Sequence, residues 1–146
     1  MNTTKSKGFT IIEVVLVLAI AALIFLIVFL AVPALQRSQR DTQRRTDAGR
    51  LLTYLSNYQS NNRGALPDTG AKQTAFKTNY AKELTSPTTG NPYVLNFTAT
   101  PSGDFSTMII ALGSKCDGDS GFVSAASRNV AVRVALESGG GYCTEQ

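Results

Sequence analysis

Residues Lys7 to Val32 read KGFTIIEVVLVLAIAALIFLIVFLAV, with a single acidic residue, Glu13, at the head of an apolar run. From Val14 to Val32 nineteen successive residues are apolar. At a rise of about 1.5 Å per residue such a run spans roughly 28 Å, close to the thickness of a bilayer's hydrocarbon core, and it predicts a transmembrane helix. A cleaved secretory signal has a shorter apolar region that ends in small residues, whereas this run continues into AVPALQRSQR. An acidic side chain at the middle of a spanning helix costs roughly 3 kcal/mol. An acid at the edge of the span therefore marks a functional position and asks for a partner.

Beyond Pro33 the pattern turns amphipathic, with Ala48, Leu51, Leu52, Leu55 and Tyr58 recurring at spacings of three and four. The helix is expected to continue out of the membrane until NNRGALP stops it near residue 62. Pro33 lacks an amide hydrogen and crowds the carbonyl one turn back, which predicts a kink there. Residues 65–92 read as a loop carrying one small helix, in which Phe76, Tyr80 and Leu84 fall four apart. Three strand-like runs follow, YVLNFTA from Tyr93, FSTMIIAL from Phe105 and NVAVRVALE from Asn129. In the third, Val130, Val132, Val134 and Leu136 alternate with Ala131, Arg133, Ala135 and Glu137. The expected fold is α+β: a long N-terminal helix whose second half packs on an antiparallel sheet of three or four strands.

Composition narrows the function. Histidine is absent from the 146 residues, which removes the commonest general base and every zinc site built on imidazole. The chain therefore reads as a non-enzyme without a cofactor. Cys116 and Cys143 lack metal or redox spacing, and one disulfide in an oxidising compartment fits them best. Between Gln36 and Arg63 six arginines face only Asp41 and Asp47, while from Gly64 onward six basic residues meet seven acidic ones. The basic character belongs to the segment after the span, so DNA binding is conceivable but unsupported by the C-terminal part.

A short basic leader with Lys5 and Lys7, then Gly8, Phe9, Glu13 four residues on, and the apolar run together resemble the type IV pilin family and its class III leader. The resemblance implies a type IV pilin-like fold. It also implies that a prepilin peptidase cuts after Gly8 and methylates the new amino terminus on Phe9, and that Glu13 is the family's acidic assembly position. The layout that follows is a leader over 1–8, a membrane and filament-core half-helix over 9–35, an amphipathic half over 36–63, and a loop-and-sheet domain with the Cys116–Cys143 disulfide over 64–146. Glu13 could pair with the Phe9 amine of a neighbouring subunit, or serve only its own helix end. Many members carry a proline at the place of Leu30; here Pro33 lies three residues further along, so any loosened segment falls later.

The implied partners are identical subunits, the peptidase, an assembly platform, the membrane before assembly, and host or abiotic surfaces in adhesion and twitching motility. The implied location is the cytoplasmic membrane for the precursor and a surface filament afterwards. The rival readings are a minor pilin or pseudopilin of a secretion or DNA-uptake machine, and an uncleaved single-pass adaptor. Five arginines after the span against two lysines before it would put the N-terminus outside by charge counting. The cysteine pair and the resemblance overrule that count. These arginines are expected to pack between helical core and outer domain, or to be solvated.

Three other matches carry little. LPDTG, Leu66 to Gly70, is a sortase signal in letters but sits far from any C-terminal span. Asp117 and Asp119 in CDGDSG lack the remaining ligands of a calcium loop. Asn96 in NFT forms a glycosylation sequon, read as coincidence on a strand.

Overall fold

The structure, a computed structural model, describes residues 8–119 and 121–146. Two units divide the chain, residues up to Gln36 and residues Arg37–Gln146. Helix α1, Ile11–Asn61, contributes to both and contains Pro33 within its helical run.

In the first unit the helix is apolar on all sides. Its most apolar 18-residue window has a mean hydropathy of 3.5 with none of its residues buried. It is long and apolar enough to cross a membrane.

The second unit holds the core. Ala48, Leu51, Leu55 and Tyr58 are buried on one face of α1, at the helical spacing expected of a core-facing stripe. Helix α2, Gly70–Asn79, brings Phe76 against Tyr58, ring edge to ring face at 5.7 Å between centroids. Leu66 and Pro67 of LPDTG are buried, and Thr69 holds the N-cap position of α2, so that motif is the local start of a helix.

Six strands follow: β1 Val94–Asn96, β2 Thr107–Leu112, β3 Ser114–Asp117, β4 Gly121–Ser124, β5 Val130–Ala135 and β6 Gly141–Glu145. One sheet has the order β1-β2-β5-β6, and β3 and β4 form a separate hairpin. The β2–β5 and β5–β6 pairs are antiparallel, with Ile110 opposite Val132 and Arg133 opposite Cys143. The valines of β5, with Met108 and Ile110 of β2, share one core with the α1 face.

Two features add to the expected antiparallel sheet. First, β1 runs parallel to β2. The segment between them is a series of side-chain turns: the N–H groups of Thr100, Asp104 and Ser106 donate to the side chains of Thr98, Ser102 and Asp104. Local bonding of this kind competes with a ladder, so β1 ends at Asn96 and the chain returns before pairing.

Second, all six residues of β5 are buried. Hairpin strand β3 lies against β5 and β6. Arg133, only 8% exposed, donates from Nε to the Asp119 carbonyl at 3.0 Å and from Nη1 to the Ser102 carbonyl at 3.1 Å. Its guanidinium lies over Gly141, where any Cβ would meet it at 2.5–2.8 Å.

Candidate functional site

The N-terminal residues singled out by sequence come together at the start of α1. Gly8 is exposed, with nothing within 4 Å of where a Cβ would stand. Phe9 is 89% exposed. Thr10 immediately precedes the helix, and its backbone N–H and hydroxyl both donate to Glu13 Oε2, at 2.9 and 2.7 Å. In return the Glu13 N–H donates to Thr10 Oγ1 at 3.4 Å.

This is a reciprocal capping box, which satisfies helix N–H groups that have no partner within the helix. Phe9, Glu13, Val14, Val17 and Leu18 line a shallow groove beside it. Thr10 escaped the sequence reading although T-x-x-E before an apolar run is the signature of such a cap. In this unit Glu13 has one carboxylate oxygen committed to its own helix end, and Oε1 makes no hydrogen bond among the described residues. Lys5, Lys7 and the rest of the leader segment lie outside the described residues.

Within the second unit the arginines divide into two groups. Arg44 is fully buried and pairs with Asp41 at 2.8 Å and Glu137 at 2.6 Å. It also bonds Thr88 Oγ1 and faces the Phe105 ring at 5.1 Å. Arg40 grips Glu137 through Nε and Nη2, at 2.8 and 2.6 Å, in the bidentate geometry that strengthens such pairs. Asp41 accepts the backbone N–H groups of Glu137 and Ser138, at 2.8 and 2.9 Å.

The helix thereby holds the β5–β6 turn by both charge and backbone. Arg50 reaches Asp47 at 3.4 Å. Arg37 and Arg45 have no ion pair among the described residues, and Arg45 stands over the Tyr142 ring at 5.8 Å. Three of the five arginines are thus matched by carboxylates, but of these only Glu137 comes from outside the segment, so most of its charge excess remains.

Protonation follows from these contacts. The Arg40 hydrogen bonds, with Arg44 and Thr88, hold the Glu137 carboxyl at about 2. Burial pushes Asp41 up, but the N–H donors of Glu137 and Ser138 and the Arg44 guanidinium outweigh it and leave the group below the usual range. Asp47 is different. Burial raises it, and the Arg50 charge offsets only part of that. Asp47 Oδ2 and the Tyr93 hydroxyl are buried without a well-formed hydrogen bond among the described residues.

Cys116 of β3 and Cys143 of β6 form a disulfide with Cα atoms 5.9 Å apart. Asp117 ends β3 and Asp119 lies in the turn after it. Among the described residues no group of His, Cys, Asp or Glu is arranged to hold a metal. The residues brought together are thus a capping cluster at one helix end, next to Gly8 and Phe9, and a disulfide on the sheet. The fold, with its long apolar helix, points to a structural protein.

Comparison with curated proteins and with solved structures gives no match. Residues 3–29 match the prokaryotic N-terminal methylation motif. With the α+β fold, that motif supports a prepilin of the type IV pilin type, a type IV pilin-like or pseudopilin precursor.

Proposed function

We propose that the chain is the structural subunit, and the major one, of a type IV pilus. It is anchored in the membrane by α1 until a prepilin peptidase cuts between Gly8 and Phe9, and it then polymerises through the apolar half of that helix. The single observation that carries this reading is an N-terminal methylation motif leading straight into an apolar helix with none of its most apolar window buried. A helix of that composition has to be covered by lipid, by copies of itself, or by both in turn.

In the bundle the amine freed on Phe9 pairs with Glu13 of an adjacent subunit, so that neither charge stays alone among apolar helices. Thr10 occupies one oxygen of Glu13 and leaves the other for that amine. Adhesion and twitching motility are roles carried from the family resemblance.

The test is recovery of filaments sheared from cells, with mass spectrometry of their N-terminus. The expected result is a dominant chain that begins at methylated Phe9. Gly8→Val is expected to accumulate uncut in the membrane, and filaments built from the uncut chain would overturn the reading. A chain that is scarce in filaments dominated by another subunit would make it a minor pilin or pseudopilin. Glu13→Leu is expected to be inserted, folded and cut, but to form no filaments alone.

A further inference from the structure

Among the residues after Gly8, Asn96 is the one asparagine followed two positions later by Ser or Thr with no intervening proline. The structure places this sequon, as expected, on a strand, but at its exposed end. Asn96 is the last residue of β1, an edge strand of only three residues with β2 as its one neighbour.

Alternation then separates the sequon's residues. Phe97 is half-buried, its ring edge-on to Phe76 at 6.2 Å between centroids and its face under the Lys77 ammonium at 5.7 Å. Asn96 and Thr98, on either side, are exposed. The Asn96 side-chain amide makes no hydrogen bond among the described residues. The Thr98 hydroxyl lies in a bend and, among the described residues, meets only Thr100. Val94, on the same side of β1 as Asn96, is 53% exposed, so a free strand edge there carries an apolar residue, the arrangement that invites edge-to-edge pairing.

We propose that Asn96 is an acceptor for an N-linked oligosaccharide, added on the outer side of the membrane and shielding the β1 edge. The donor is a polyprenyl-pyrophosphate-linked oligosaccharide, and the catalyst is a membrane oligosaccharyltransferase. Asn96 Nδ2 attacks the anomeric carbon, the bond from that carbon to the pyrophosphate oxygen breaks, polyprenyl pyrophosphate leaves, and Nδ2 gives one proton to a base. The Thr98 hydroxyl supplies the recognition that a sequon requires. A bulky, solubilising group at this point meets open solvent and displaces no core residue. The inference rests on the reading that the sheet domain is exported.

The experiment is mass mapping of the full chain from its own cells, under non-reducing and reducing conditions. Its readout is the tryptic peptide Glu83–Lys115. A glycan mass on that peptide is expected in the wild type, lost in Asn96→Gln and Thr98→Ala, and kept in Thr98→Ser. Release by an amide-cleaving glycosidase is expected to leave aspartate at position 96. Formation of the Cys116–Cys143 bond in each variant shows that the domain folded outside the cytoplasm. An unmodified peptide from chains with that disulfide formed overturns the glycan and leaves the subunit reading standing. An unmodified peptide with both thiols free overturns both. A mass excess that persists in Asn96→Gln places the modification elsewhere and overturns the proposal.

Discussion

Thr10 and Glu13 bond one another in both directions: Glu13 Oε2 accepts the Thr10 backbone N–H and hydroxyl, and Thr10 Oγ1 accepts the Glu13 N–H. Each residue therefore fixes the other's rotamer at the helix start. Loss of an N-cap side chain costs about 1 kcal/mol. Thr10→Val is expected to lower filament yield while leaving membrane insertion intact, and Thr10→Ser to restore it. Quantifying sheared filaments beside total membrane-bound subunit checks this; equal yields for Val and Ser would show that the cap has no part in assembly.

The Glu137 latch makes stability depend on acid. Its folded value, about 2, lies below the ordinary 4.5. The stabilisation is therefore complete above about pH 4.5 and is lost as pH falls toward 2. Asp41 shifts in the same direction. Removing one partner of a buried pair costs roughly 3–5 kcal/mol, and because Arg40 is 32% exposed the lower end is expected for Glu137→Gln. Urea unfolding of the full chain in detergent, followed by tyrosine circular dichroism from pH 7 to 2.5, should show the variant weaker at pH 7 and flatter below pH 4.5.

Asp47 predicts the opposite sign. Its folded value is raised above 3.8 by burial, so its contribution is most favourable below that pH and is lost as pH rises through the folded value. Asp47→Asn removes the cost of a buried charge. The expected gain is present at pH 7 and fades as pH falls below 3.8. The same unfolding series decides it, and a loss at pH 7 would mean that the Arg50 pair outweighs burial.

The disulfide spans 27 positions, for which the chain-entropy model gives roughly 3.5 kcal/mol. The double variant Cys116→Ser, Cys143→Ser is expected to unfold at correspondingly lower urea. Because β3 carries one of the cysteines, limited proteolysis should cut the β3–β4 hairpin first. Cleavage starting in β5 instead would contradict that order.

The helix, its stop near Asn61 and the core stripe from Ala48 to Tyr58 were legible because 3.6-residue periodicity is a local signal. Strands β3 and β6 were not. Neither has an alternating apolar run: β6 owes its place to its ladder with β5, and β3 to the disulfide and its contacts with β5 and β6. Arg133 reads as an outward residue by alternation, yet two carbonyls distant in sequence let it be buried. At the site, Gly8, Phe9 and Glu13 stood out through the leader pattern, and Thr10 could have been found from the same five letters, FTIIE. The Asp41–Glu137 contact joins residues 96 positions apart, and no local pattern announces it.

That separation has a consequence in time. Arg44 is made and delivered long before Glu137, its second carboxylate partner, exists, and the central strand β5 also comes late. Pairings between residues so far apart must close large loops before any contact repays the entropy, so folds dominated by them form slowly. At a synthesis rate of about 5–20 residues per second, the amphipathic face of α1 stays uncovered for several seconds after it is made. Any binder that protects the nascent subunit therefore has to recognise that face, with Leu51 and Leu55 open and Arg44 in water, a surface that the finished domain no longer displays.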